Sequence, residues 1–106
     1  MKKTKNVITI ALICSFFVLS MQAQKHTYKP KAGFVPNAKT AIRIAEAVLI
    51  PIYGEEDLQH ERPLTAILKN GVWTVTGQLA DGNDGGVAII EISKDDGRIL
   101  RVSHGK

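Results

Sequence analysis

Leu64-Thr65-Ala66-Ile67-Leu68-Lys69-Asn70-Gly71-Val72-Trp73-Thr74-Val75-Thr76 decides the fold. Leu64, Ala66 and Leu68 alternate with Thr65, Ile67 and Lys69. Asn70-Gly71 follows, a dipeptide suited to a two-residue type I′ hairpin because both turn positions need positive φ. Such a turn sets the register: Lys69 opposite Val72, Leu68 opposite Trp73, Ala66 opposite Val75. One side of the hairpin then collects Leu64, Ala66, Leu68, Trp73 and Val75, and the other Thr65, Ile67, Lys69, Val72, Thr74 and Thr76.

Downstream, Asp81-Gly82-Asn83-Asp84-Gly85-Gly86 reads as a loop. A third strand, Val87 to Ile92, turns through Lys94-Asp95-Asp96-Gly97 into a fourth, Arg98 to His104. Alternation turns Ala88, Ile90, Ile92, Leu100 and Val102 inward and Val87, Ile89, Glu91, Ile99, Arg101 and Ser103 outward. Upstream, Asn37 is a good N-cap. Behind it Ala41, Ile44, Ala45, Val48, Leu49 and Ile52 recur at the spacing of one helical face, which predicts an amphipathic helix from about Ala38 to Leu49. Pro51 disfavours helical geometry at Ile50, so the helix is expected to stop or kink there, with Gly54 ending the element. Glu55 to Glu61 suits a short acidic second helix before Pro63. A helix followed by a four-stranded antiparallel meander gives a two-layer α+β domain.

The N-terminus is read as a targeting segment. Lys2, Lys3 and Lys5 precede an apolar run from Val7 to Leu19, and Met21-Gln22-Ala23 offers a small-residue cleavage site. This is the pattern of a secretory signal peptide over residues 1–23. The run is shorter than the ~20 apolar residues of a membrane span, so cleavage is favoured over an uncut anchor. Ile13 before Cys14 speaks against lipoprotein processing. Residues 24–35 form a polar, extended lead-in, and 36–106 the single domain. The whole chain carries 14 basic and 10 acidic residues, a net +4. Loss of Lys2, Lys3 and Lys5 leaves 11 against 10, so the basic balance belongs mostly to the targeting segment and implies no nucleic-acid partner. The one cysteine, Cys14, leaves as well, which excludes a disulfide scaffold, a thiol nucleophile and thiolate metal ligands.

No assembled catalytic constellation is visible. His26, His60 and His104 lack a second ligand at helical metal-site spacing, and no metal or cofactor is expected. The Asp81–Gly86 loop opens like a calcium loop but has no Glu at the twelfth position. Ser93 and Ser103 lie outside any nucleophile elbow, and Asp95-Asp96 sits in a turn where water keeps carboxylates ordinary. Trp73 is expected in the core, packed on Ile44, Val48 or Leu49.

Several blocks in order carry a resemblance: Val35-Pro36-Asn37, Thr40-Ala41-Ile42, Ala45-Glu46-Ala47, Pro51-Ile52-Tyr53-Gly54, Trp73-Thr74-Val75-Thr76-Gly77, Gly85-Gly86-Val87-Ala88-Ile89-Ile90-Glu91-Ile92, Asp96-Gly97-Arg98-Ile99-Leu100 and His104-Gly105-Lys106. From Val35 to Lys106 the chain resembles a family of small bacterial immunity proteins of nuclear transport factor 2-like fold found beside polymorphic toxins. The resemblance implies a non-enzymatic protein that binds and neutralises a cognate toxin, and it brings no catalytic residues. A weaker similarity, to small cystatin-like exported domains that accompany peptidases, implies an inhibitory or ligand-binding role without a toxin. With the export signal, the expected place is the periplasm, with no stable membrane insertion after cleavage.

Two surfaces compete for the partner. One is acidic: Glu55, Glu56, Asp57 and Glu61 with the loop residues Asp81, Asn83 and Asp84. The other is the outer sheet face around Ile67, Ile89 and Ile99 with Arg101 at its rim. Segregated charge on a nearly neutral chain favours the acidic surface, since complementary charge speeds encounter.

Overall fold

The local signals at Asn37 and Asn70-Gly71 build the two layers. In this computed structural model, which describes residues 27–79 and 85–105, Asn37 is extended and its Oδ1 accepts the Thr40 backbone N–H at 2.9 Å and the Thr40 hydroxyl at 2.8 Å. Capping one of the free donors of the first turn starts helix α1, Ala38–Tyr53. The helix passes through Pro51 and does not stop at Leu49 as expected. Pro51 forfeits the backbone bond to the Ala47 carbonyl, but only Ile52 and Tyr53 follow it before the helix ends. Gly54, at φ 94°, ends the element with its N–H on the Ile50 carbonyl at 2.8 Å. Helix α2, Glu55–Glu61, follows at once, as the sequence suggested.

Strands β1 (Thr65–Lys69), β2 (Val72–Thr76), β3 (Ala88–Ser93) and β4 (Ile99–His104) form one antiparallel meander in the order β1-β2-β3-β4. Asn70 and Gly71 have φ of 51° and 75°, the two positive values that a type I′ turn requires. The register is the expected one, with Lys69 opposite Val72, Leu68 opposite Trp73 and Ala66 opposite Val75. Helix α1 covers one face of this sheet. Its buried line runs Ala41, Ala45, Leu49, and the small alanines let it approach Leu64, Trp73, Val75, Ala88, Ile90 and Ile92 closely. That line has i, i+4 spacing and continues to Tyr53, so Ile52, expected in the core, is turned away and is 54% exposed.

Two other expected core residues lie at the margins. Leu68 is 42% exposed because β1 is an edge strand and no strand lies beyond it among the described residues. Leu100 is 43% exposed because the β3–β4 ladder is irregular: Glu91 pairs with Arg101 and Ile92 with Ile99, which leaves Leu100 between pairs as a bulge. The extra residue reverses the alternation beyond it. Ile99, expected on the outer face, is therefore the partner of the inward-facing Ile92.

The expected lead-in has no helix or strand between residues 27 and 37, yet it is tightly held. Phe34 and Val35 donate their N–H groups to the carbonyls of Asp95 at 2.9 Å and Lys94 at 3.0 Å. Lys94 Nζ donates to the Ala32 carbonyl, and Lys29 pairs with Asp95 at 2.6 Å. Gly33, at φ 83°, lies so close to the β3–β4 turn that a Cβ there would come within 2.9 Å of Asp95 Cα. Val35 is fully buried, and its carbonyl accepts the Trp73 indole N–H at 2.8 Å. Trp73 is buried on the inner face, as its register demanded.

Trp73→Ala is expected to cost about 3 to 5 kcal/mol of stability, a large share of what a small domain has. Trp73→Phe keeps most of the packing but strands the buried Val35 carbonyl, for about 1 to 3 kcal/mol. Urea denaturation followed by circular dichroism measures both. An unchanged midpoint for Trp73→Phe would remove the indole bond from the account.

Candidate functional site

Helix α2 is too short to stand by propensity alone and is held at both ends. Glu55, Glu56 and Asp57 occupy its first turn, where negative charge opposes the exposed N–H groups favourably. Glu55 Oε1 accepts from Arg62 at 2.6 Å, and the same guanidinium reaches Glu46 Oε2 at 3.0 Å. The hydrogen bond from Arg62 holds the Glu55 carboxyl below the usual carboxylate range, and bonds from Glu55 and then Glu46 push Arg62 further above its own. Glu55 is thus engaged within the molecule. Glu56 and Asp57 are exposed, and neither makes a hydrogen bond or ion pair with another described residue.

Glu61 corrects the acidic-surface reading. It is 7% exposed, the one buried charged residue among those described. Its Oε1 accepts the Ala88 N–H at 2.6 Å, and its Oε2 lies 3.3 Å from His104 Nε2. Its own carbonyl accepts the Gln78 N–H at 2.8 Å. The side chain crosses Gly77 so closely that a Cβ there would meet Glu61 Cβ at 2.9 Å. Glu61 therefore ties the end of α2 to the start of β3, the end of β4 and the segment leaving β2. A solvated acidic face was the reading from composition; the signals that could have found the inward carboxylate are Leu58, three residues earlier on the same helical face, and Gly77.

Beside this clasp lies a cavity of about 250 Å³ whose walls include Asp57, His60, Glu61, Gln78, Leu79 and His104. The His104 ring packs on Tyr53, with centroids 5.2 Å apart and planes at 52°. Among the described residues the walls carry no serine, threonine, cysteine or lysine. No group of three or more His, Cys, Asp or Glu placed to hold a metal ion occurs among the described residues. Asp81, Asn83 and Asp84 lie outside the described residues; of the described members of the expected acidic set, Glu56 and Asp57 face solvent unengaged.

The outer sheet face is less apolar than its sequence suggested. Pairing places Ile67, Thr74, Glu91 and Arg101 in one row and Thr65, Thr76, Ile89 and Ser103 in the next. Thr74 and Thr76 separate Ile67 from Ile89, and the bulge takes Ile99 out of the pattern. Arg101 Nε donates to Glu91 Oε1 at 3.0 Å across the same face, and its NH1 lies 3.4 Å from Ser103 Oγ. Threonines and an ion pair occupy the middle where an apolar centre was expected. No helix among the described residues is long and apolar enough to cross a membrane.

Residues 40–106 match the model of a family described as NTF2 fold immunity protein. The uncharacterized protein YhhH of Escherichia coli strain K12 is 40% identical over 75 residues, which is 70% of this chain and 59% of YhhH. The chain thus spans less than two thirds of that curated relative. No solved structure gives a significant match.

Glu61→Ala leaves the buried Ala88 N–H without its acceptor and is expected to cost about 1 to 3 kcal/mol. Gly77→Ala forces a methyl group into the Glu61 side chain, for a loss of about 1 to 3 kcal/mol. Thermal denaturation checks both, with Glu56→Ala as the exposed control, expected within about 0.5 kcal/mol of wild type. A Glu61→Ala midpoint equal to that of the control would refute the clasp.

Proposed function

The chain belongs to the NTF2 fold immunity protein family, and from that membership we propose an exported inhibitor that binds and neutralises a cognate bacterial toxin through a protein interface. The family match over residues 40–106 carries this reading, because it takes in both helices almost entirely and all of the sheet. Export rests on Lys2, Lys3 and Lys5, the apolar run and Ala23, and this pattern supports a periplasmic location, where an inhibitor of a wall-directed toxin would meet its target. A small-molecule site is supported less well: about 250 Å³ falls short of the ~300 to 1,000 Å³ usual for ligand pockets.

For the toxin contact we propose the open side of α2, with Glu56 and Asp57 as the contributing carboxylates. Glu55 spends its charge on Arg62, and Glu61 is interior. Glu56 and Asp57 keep their charge for a partner, and rim charges of this kind mainly speed encounter and confer salt dependence.

Two measurements follow. Intact mass of the periplasmic protein should give Gln24 as the first residue, and a dominant species retaining Met1 to Ala23 would sink the export argument. With the toxin encoded beside this reading frame, Glu56→Lys/Asp57→Lys should slow association about tenfold or more at low salt and much less at high salt, in a protein that stays folded by circular dichroism and loses only the small helix-terminus contribution of the two charges. If association survives that change but collapses with Ile89→Asp in a folded protein, the interface is the outer sheet face.

A further inference from the structure

The sheet has two edges, and they are treated differently. At β4 the bulge at Leu100 interrupts the ladder, and Arg101 within the strand and Arg98 just before it place charge along this edge. Bulges and charges are the usual means of keeping an edge from pairing. The β1 edge has neither a bulge nor a proline over Thr65–Lys69, and its register to β2 is regular throughout. Lys69, at its last position, is its one charge. No strand or helix among the described residues pairs with its far side.

Two large apolar side chains of β1 are exposed, and they point to opposite faces of the sheet. Ile67 is 69% exposed on the outer face, and Leu68 is 42% exposed on the face that α1 covers. A partner lying on either face would cover one of them and leave the other in water. Only a strand arriving edge-on covers both, while also taking up the unpaired backbone N–H and C=O groups.

We propose that β1 pairs antiparallel with β1 of a second copy of this chain, about a two-fold axis through Ile67. The occupant is chosen by self-complementarity in that register. Ile67 meets Ile67 of the second copy on the outer face, flanked on each side by Thr65 opposite Lys69. On the inner face Ala66 lies opposite Leu68 twice, so each exposed leucine sits beside a small residue. The single lysine faces a threonine, never its own copy, so no like charges are opposed. Two four-stranded sheets become one continuous sheet. Because five residues form a small contact, the dimer is a reversible one that appears as concentration rises.

The test uses the protein expressed from its complete reading frame and purified. Sedimentation equilibrium from the low micromolar range to about 1 mM should show the mass rising toward twice that of the monomer. Amide exchange in Thr65–Lys69 should slow over the same range. Ile67→Lys, at an exposed position, should remain folded by circular dichroism and lose the mass increase entirely. Ile99→Lys on the opposite edge, shown to be folded by circular dichroism, should leave it unchanged. A wild-type protein that stays monomeric throughout, with β1 amide exchange independent of concentration, overturns the proposal. So does a dimer that Ile67→Lys leaves intact, or one that Ile99→Lys abolishes.

Discussion

Positive φ at two consecutive residues, Asn70 and Gly71, is the constraint from which the core follows. A two-residue turn admits one register, and that register puts Trp73 on the face beneath α1 together with Val75 and Leu64. A buried indole needs an acceptor for its N–H, and the acceptor is the Val35 carbonyl at 2.8 Å. To bring that carbonyl there, residues 33–35 must run along the β3–β4 turn, which explains the tight approach of Gly33 and the bonds from Phe34 and Val35. One local conformational requirement thereby organises contacts across most of the domain.

Glu61 performs the corresponding task at the other end of the sheet. A buried carboxylate is costly unless its oxygens are occupied, and here the Ala88 N–H takes one and His104 the other. Among the described residues no buried side-chain nitrogen or oxygen is left without a partner. The short α2 helix is thus positioned by polar bonds at its C-terminus and by burial of Leu58, while the Arg62 bridge fixes Glu55 and Glu46 beside it. This division of labour leaves Glu56 and Asp57 as the carboxylates without a side-chain partner among the described residues.

What could be read from the chain was whatever depends on near neighbours. The Asn37 cap, the period of α1, the hairpin turn and the inward Trp73 are decided within a few residues, and all appear as their local chemistry dictates. Features set by distant partners were not legible. Glu61 sits at the end of an acidic run, and its inward partners Ala88 and His104, with the space left by Gly77, lie far along the chain. One extra residue at Leu100 reverses the parity of β4, so strict alternation misplaced Ile99 and Leu100. Pro51 was given too much weight, because it removes a single backbone bond and only two helical residues follow it before Gly54. The partner surface suffers from the same limit, since an exposed carboxylate with a structural duty and one without it look alike in sequence.

The docking of residues 29–35 on the β3–β4 turn also sets an order of events. Its bonds join positions as much as 66 apart, from Lys29 to Asp95, with Lys94 to Ala32 nearly as distant at 62. A chain delivered from its N-terminus presents this strap first and the hairpin that receives it last. The helix and the first hairpin can form while synthesis continues, but Val35 and Trp73 cannot be sealed from water until β3 and β4 have arrived. Closure of the core is thereby coupled to the arrival of the β3–β4 turn, and a nascent chain that stops before Lys94 keeps its indole accessible.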